Sequence, residues 1–130
     1  ELVMFETESH TGSPIYHTDV LMYVGTTAIG ICYEVIKPEY RDLVKERVER
    51  FHDVIEIRKE QLLNFCGNCL EIPDKDGNLL LAMSTAAFNA YTELQKEKIE
   101  KHFKKIVHTD ISTIEKYGGG SARCMLAELF

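Results

Sequence analysis

The chain has 130 residues, of which 45% are hydrophobic and 28% charged, a balance typical of one soluble globular domain with a substantial core. Its net charge of -6 and the lack of a basic stripe argue against nucleic acid or an anionic membrane as a partner, and no apolar run reaches membrane-spanning length. Its 4 cysteines are too few for a disulfide scaffold, which favours a reducing, cytoplasmic compartment. Because the chain begins without Met and without a signal peptide, we expect it to be part of a longer protein.

The first half of the sequence has the pattern of two strands, a helix and a returning strand. Apolar runs rich in β-branched residues flank Thr26 and Thr27, which predicts a hairpin. A helix is predicted from Pro38, because proline is tolerated in the first helical turn and the residues after it place apolar and charged side chains on opposite faces. The predicted segments are strands at residues 2–5, 20–25, 28–34 and 54–57, and a short helical or irregular connection at residues 59–65.

The same order of elements is predicted again in the second half. A strong turn sequence at residues 74–78 separates two apolar strands. After a helical turn, Thr92 caps the next helix, and Gln95 closes a capping box with it. The predicted segments are strands at residues 69–72, 79–83 and 105–107 and a helical turn at residues 86–91.

The last part of the chain is organised by the run Gly118-Gly119-Gly120. Ser112 and Glu115 have capping-box spacing, which predicts a short helix that ends at Gly118. Glycines reach backbone angles closed to other residues, so this loop can bring bare amide groups close to a ligand. The residues after the loop predict a strand that begins at Cys124.

Strand starts recur near His17, Asn68 and Cys124, at offsets of 51 residues (68 − 17) and 56 residues (124 − 68). This spacing indicates an internal repeat of one ββαβ unit. If the units pack radially, equivalent strand ends meet around the axis and these three residues converge. The repeat units are residues 17–57 and 68–108, and the start of another is at residues 121–130.

Two side chains at these strand starts have the chemistry of a nucleophile and its base. A thiol at Cys124, behind an amide-rich glycine loop, is where an enzyme would place a nucleophile, although a buried structural cysteine is the alternative. His17 and Asp19 are two residues apart on a predicted strand, so they share a face, and the carboxylate can orient the imidazole. The alternative is a surface histidine at a strand entrance.

Cys66-Gly67-Asn68-Cys69 is a CxxC sequence, but a redox pair would need its first cysteine at a helix N-terminus, and a zinc site would need two further ligands. Neither requirement is met, so we expect no metal here. The repeat makes Asn68 a candidate to line the site. On a strand, Arg123 would point away from Cys124, which favours a structural ion pair for it.

Three segments together resemble the C-terminal half of the guanidino-group-modifying enzymes of the pentein fold. They are residues 16–20, with His-x-Asp, residues 64–71, and the glycine-rich residues 118–130, with Arg-Cys-Met. The superfamily includes arginine deiminases, dimethylarginine dimethylaminohydrolases and amidinotransferases. Among them the sequence is most similar to bacterial amidinotransferase-like proteins and citrulline-utilisation hydrolases.

The resemblance implies a five-bladed α/β propeller of ββαβ units, of which this chain would hold about two and a half, as the C-terminal half of one catalytic domain. It implies that Cys124 is the nucleophile and His17 the general acid/base, with Asp19 holding a guanidinium. Relatives often carry Asn at the position of Asp19. Asn68, Gly119 and Gly120 are the further candidates for substrate binding.

The implied activity is hydrolysis or group transfer at guanidino or ureido groups through a covalent thiouronium-type intermediate, without a cofactor. The substrate would be a small molecule of the arginine, methylarginine or citrulline type. Because the remaining carboxylates of the family would lie upstream, we expect the chain alone to be inactive and to pair with another copy or with a missing N-terminal half. A non-catalytic pentein module is the alternative function. A cysteine–histidine amidase on another fold would not have the ββαβ repeat.

Overall fold

The computed structural model describes residues 2–127, which form two three-stranded sheets with helices beside them. The strands are β1 (Met22–Val24), β2 (Ala28–Ile31), β3 (Asp53–Glu56), β4 (Leu70–Pro73), β5 (Leu79–Ser84) and β6 (Lys105–Thr109). The helices are α1 (Thr18–Leu21), α2 (Pro38–Glu49), α3 (Thr85–Ala90), α4 (Glu93–Ile99), α5 (Ser112–Gly118) and α6 (Ala122–Met125). Short 3₁₀ segments lie at Tyr33–Val35 and Lys59–Asn64. No helix within residues 2–127 is long and apolar enough to cross a bilayer.

The two sheets have the same topology. In each, the first two strands form an antiparallel hairpin and the third strand returns parallel to the second. The crossover contains α2 in the first unit, and α3 and α4 in the second. The predicted ββαβ repeat is therefore confirmed, and so is the turn at Thr26 and Thr27, where the Gly25 amide donates to the Ala28 carbonyl.

Local sequence signals explain the starts of α2 and α4. Pro38 occupies the first turn of α2, as predicted. The capping box is present at α4, where the Thr92 hydroxyl accepts from the Gln95 amide and the Gln95 side chain accepts from the Thr92 amide. The second predicted capping box, from Ser112 to Glu115, is wrong. The N-cap of α5 is Ile111, and Glu115 instead accepts a hydrogen bond from the Ser121 hydroxyl.

The core is continuous between the two units. Its most deeply buried side chains include Ile31 and Ile55 from the first sheet and Leu81, Ile99 and Phe103 from the second unit. Polar contacts cross the boundary as well: Glu71 accepts from both the amide and the hydroxyl of Thr26, at 2.9 and 2.6 Å. His102 lies between Thr27 and Asp53 of the first unit.

The connection before β4 approaches the first unit closely. A Cβ built on Gly67 would lie 2.3 Å from the Val20 carbonyl oxygen, so only glycine fits between Cys66 and Asn68. This contact brings Asn68 against the loop and helix that precede β1. It fixes the relative position of the two unit starts that the repeat analysis predicts to converge.

Four predicted strands differ from the structure. The strand predicted at residues 28–34 ends at Ile31, and Tyr33–Val35 form a 3₁₀ segment instead. Residues 2–5 form no strand, and in the described chain this region pairs only through an isolated bridge between Thr7 and Ile36. Residues 18–21 form the helical turn α1 instead of the start of β1, and the Val20 amide donates to the His17 carbonyl. The Leu21 carbonyl accepts from the amide of Cys32, just after β2, and strand pairing begins with Met22 and Ile31. His17 and Asp19 therefore do not share a strand face.

Cys124 does not begin a strand either, because it lies in α6. The amide of Cys124 donates to the Ser121 carbonyl at 3.1 Å, and the amide of Arg123 donates to Asn68. In the predicted strand, these two amides would instead be available to pair with a neighbouring strand. The part of the predicted unit at residues 128–130 lies outside the described residues.

Candidate active site

The Cys124 side chain is exposed and has two polar neighbours. Asn68 Nδ2 donates to its Sγ at 3.2 Å. The thiol in turn lies 3.6 Å from Asp19 Oδ2, to which it can donate its proton. A thiol, an amide and a carboxylate from three distant parts of the chain therefore meet at one point.

Asn68 connects these groups although it is itself buried, with 3% of its surface exposed. Its Oδ1 accepts from the amides of Arg123 and Cys124, at 3.1 and 3.4 Å. Its Nδ2 donates to the main-chain carbonyl of Asp19 at 3.0 Å and lies 3.4 Å from the Asp19 carboxylate. The predicted convergence of the unit starts is thus observed for Asn68 and Cys124, together with Asp19.

The glycine loop places the Cys124 thiol beside Asn68 and Asp19. Helix α5 ends at Gly118, and Gly119 follows with a φ of 68°, the left-handed conformation that favours glycine. A Cβ on Gly120 would lie 3.0 Å from both Cβ and Sγ of Cys124. Gly120 therefore packs directly against the thiol, and a larger side chain there would crowd it.

An open cleft of about 510 Å³ borders the thiol. His17 is the N-cap of α1, has an extended backbone and is exposed. His17 and Cys124 thus border the same cleft, although the hydrogen bonds of the thiol within residues 2–127 are to Asn68 and Asp19. The residues lining the cleft are Tyr16, His17, Thr18, Asp19, Arg123, Cys124 and Leu126.

Arg123 lines this cleft, contrary to the prediction that it points away from Cys124. The prediction assumed a strand, in which neighbours alternate, whereas in the helical turn α6 both side chains reach the cleft. Its guanidinium donates to the Leu126 carbonyl at 3.3 Å. Arg123, Thr18 and Asp19 also border a second space of about 430 Å³ between β1 and β4.

Sequence reasoning missed four residues that border the cleft: Tyr16, Thr18, Arg123 and Leu126. Tyr16 is 87% exposed, so its ring projects from the rim. Its position next to His17 was the available signal. For Arg123 the signal would have been a recognised helical turn after the glycine loop.

Cys66 and Cys69 lie in the core, where both thiols donate to main-chain carbonyls, of Ala87 and Cys66 respectively. Burial raises the pKa of Cys66 to about 12 and that of Cys69 further. A redox or metal-binding cysteine needs an accessible thiolate, so both side chains are structural. Within residues 2–127 no group of three or more His, Cys, Asp and Glu side chains is arranged to hold a metal ion.

A family model described as N,N dimethylarginine dimethylhydrolase, eukaryotic, matches residues 1–130. No curated protein matches the chain. The fold is similar to that of the product-bound N-terminal domain of ArgZ, an arginine dihydrolase from the ornithine-ammonia cycle in Cyanobacteria, with a TM-score of 0.64 and 20% identity over 84% of this chain and 36% of that one.

Two further ArgZ structures give the same result. A variant N-terminal domain covalently bound to a reaction intermediate has a TM-score of 0.64 at 20% identity. Apo ArgZ has a TM-score of 0.63 at 20% identity, and the match covers 84% of this chain and 15% of that one. The chain thus spans well under half of the solved relatives. It has the pentein fold predicted from the sequence, and with the match over all its residues it belongs to the N,N-dimethylarginine dimethylhydrolase family of guanidino-group-modifying enzymes.

Proposed function

We propose that this chain carries the nucleophile and the general acid/base of a cysteine-dependent hydrolase that acts on the C–N bond of guanidino groups in arginine-like small molecules. Cys124 is the nucleophile, and His17 is the acid/base. Asp19 binds the cationic guanidinium, and the loop at Gly119 and Gly120 borders the bound substrate. The single observation that carries the proposal is the exposed thiol beside Asp19, at the cleft that His17 also borders.

Each step can be assigned to one of these residues. The Cys124 thiolate attacks the guanidinium carbon, forming a C–S bond, and the C–N bond to the departing amine breaks as His17 supplies its proton. The intermediate is a thiouronium bound to Cys124. Water that has given a proton to His17 then attacks the same carbon, the C–S bond breaks, and a ureido product leaves. The net reaction consumes one water and releases one amine.

Electrostatics favour a cationic substrate at this position. Asp19 is partly buried and accepts from the thiol, so its carboxylate lies next to where the reacting carbon must sit. A guanidinium bound there makes a charge-assisted hydrogen bond to the carboxylate, which is about twice as strong as a neutral one. The carbon is then held close to the sulfur, and such positioning lowers the barrier.

Two alternative functions differ in how well they fit these residues. An amidinotransferase would use an amine in place of water in the second step, and an open cleft admits either acceptor. A non-catalytic pentein module would need neither an exposed thiol nor a histidine beside the same cleft. The presence of Cys124 and His17 at the same cleft therefore favours catalysis, and an assay decides which acceptor is used.

The test is turnover of arginine, a methylarginine and citrulline by the complete protein, with C124S and H17A as variants. We expect release of an amine or ammonia by the wild type and no detectable turnover by C124S. H17A should be slower by 10²-fold or more, the usual contribution of a general acid/base. H10A is the matched control, because His10 is an exposed histidine outside the cleft. Turnover by C124S near the wild-type rate would contradict the proposal.

A further inference from the structure

Asn68 contacts both the sulfur and the amide of Cys124, whereas Asp19 contacts only the sulfur. The chemical steps proposed above give Asn68 no role. Its amide faces backbone donors on one side and acceptors on the other. Oδ1 lies against two N–H groups, while Nδ2 lies against a carbonyl, a carboxylate and a sulfur. This arrangement fixes which end of the amide is oxygen, because the reverse would set donors against donors.

Oδ1 of Asn68 replaces a missing helix cap. Ser121 is the N-cap of α6, but its hydroxyl donates to Glu115 at 2.6 Å, and its side chain accepts no bond from the turn. An N-cap side chain would normally accept from the amides of Arg123 and Cys124. Here the Arg123 amide donates to Asn68, to Oδ1 at 3.1 Å and to the main-chain carbonyl at 3.3 Å. The Cys124 amide donates to the Ser121 carbonyl at 3.1 Å and also lies 3.4 Å from Asn68 Oδ1. The capping residue lies more than fifty positions away in the chain, at the start of the repeat unit at residues 68–108.

Nδ2 of the same amide reaches the sulfur at 3.2 Å. A hydrogen bond donated to sulfur is strengthened when the thiol loses its proton, because the acceptor then carries a full charge. The charged and titratable groups that border the cleft with Cys124 are Tyr16, His17, Asp19 and Arg123. Of these, Asp19 is within hydrogen-bond distance of the sulfur, and its negative charge opposes the thiolate.

We propose that Asn68 is a positioning residue for the nucleophile, capping the turn that carries Cys124 through Oδ1 and donating to its sulfur through Nδ2. One buried amide then sets both the place and the reactivity of the thiol. The donor offsets the adjacent Asp19 carboxylate, so that a thiolate can form next to a group that is needed for the cationic substrate. This inference rests on the proposed function for the identity of the nucleophile.

The test follows the rate of alkylation of Cys124 by iodoacetamide as a function of pH in the complete protein, with peptide mapping to locate the label. Cys124 is exposed and the other three cysteines are buried, so native labelling reports on this thiol. N68D keeps an oxygen for the two amides but removes the donor and adds a negative charge. N68A removes both functions. N64D, an exposed asparagine in the same connection, is the matched control.

We expect the pH midpoint of alkylation to move upward by at least one unit in N68D, so that labelling below the midpoint slows about tenfold. N68A should also move it upward, and it carries the test by itself if N68D does not fold. N64D should label like the wild type. Wild-type midpoints in N68D and N68A, or an equal shift in N64D, would overturn the inference.

Alkylation requires no turnover, so it separates this inference from the proposed function. If C124S keeps the activity while N68D shifts the midpoint, the proposed function is wrong, and Asn68 positions the Cys124 thiol without that thiol being a nucleophile. If C124S is inactive and the midpoint does not move in either Asn68 variant, the function stands and the positioning role is wrong.

Discussion

Asp19 has one carboxylate that accepts from the Cys124 thiol and that, in the proposed function, also binds the cationic substrate. Its Oδ2 lies 3.6 Å from the Cys124 sulfur, and its main-chain carbonyl is held by Asn68. D19N should keep the backbone contact and lose the charge. A hydrogen bond to a charged group contributes about 1.5–3 kcal/mol, so KM for a guanidinium substrate should rise about 10- to 100-fold. KM for a neutral ureido substrate should change much less.

Steady-state kinetics with arginine and citrulline measure this difference. D42N is the control, because Asp42 is an exposed aspartate on α2, away from the cleft. If D19N raises KM equally for the charged and the neutral substrate, the carboxylate does not act through its charge.

Cys66 gives a pH prediction of a different kind, because burial raises the pKa of its thiol from 9.0 to about 12. Between these two values the unfolded chain releases a proton that the folded chain keeps. The free energy of unfolding therefore falls as the pH rises through this range and is unaffected by this thiol below pH 9. Urea unfolding at pH 7, 9 and 10.5 should show a smaller loss in C66A than in the wild type.

The exposed Cys124 supplies the comparison for this measurement, with C124A prepared alongside C66A. Other groups that titrate in the same range are common to all three proteins, so only the differences between them are interpreted. A pH dependence for C66A that is identical to that of the wild type would show that the buried thiol does not contribute.

At the scale of single elements, the two predicted capping boxes had different outcomes, and the difference can be measured. Thr92 caps α4 in the structure, whereas Ser112 lies within α5 and caps nothing. T92A should lower the free energy of unfolding by about 1 kcal/mol. S112A should change it by less than about 0.5 kcal/mol, as is usual for surface positions. Equal losses in urea unfolding would mean that Ser112 also acts as a cap.

The elements that sequence reasoning predicted correctly have strong local signals. Turn residues at 74–78 fix one hairpin through Asp74, whose carboxylate accepts from the amide and side chain of Asn78, which lowers its pKa to about 2. The first-turn proline of α2 and the capping box of α4 are equally local. Such signals depend on neighbours within a few residues, so one sequence suffices to recognise them.

The elements that sequence reasoning placed wrongly depend on contacts between distant residues. Asn68 accepts from the amides of Arg123 and Cys124 in α6, and Gly67 packs against the Val20 carbonyl of α1. Neither contact is visible from the residues on either side of the turn. The spacing of the repeat did predict that Cys124 lies close to Asn68. It relates positions that are far apart in the chain, which local propensity cannot do.

On the scale of the whole molecule, the two units are joined where Gly67 packs on Val20. G67A would place a Cβ 2.3 Å from a carbonyl oxygen of the main chain, which cannot move without shifting α1. We expect G67A to lower the free energy of unfolding by more than about 2 kcal/mol. G118A is the control, because a Cβ there meets only the Ile114 side chain, at 3.5 Å. Similar stability of the two variants would contradict the close approach.

The 130-residue chain taken alone should be a poor catalyst and should self-associate. Among the described residues lining the cleft, Asp19 is the single carboxylate, and an apolar groove of about 300 Å³ runs between the second sheet and α6. Exposed apolar surface of this kind favours pairing. Sedimentation at several concentrations, beside an assay for amine release, tests both statements. Rapid turnover by a chain that remains monomeric would contradict them.

The central claim is that Cys124 forms a covalent intermediate with a guanidino substrate, and the most direct measurement is mass spectrometry of an acid-quenched reaction followed by peptide mapping. We expect an adduct of the amidino or substituted amidino group on the peptide that contains Cys124, and no adduct in C124S. H17A should accumulate more of it if the hydrolysis step slows more than its formation. Product formation by the wild type without any adduct on Cys124, together with turnover by C124S, would show that Cys124 is not the nucleophile.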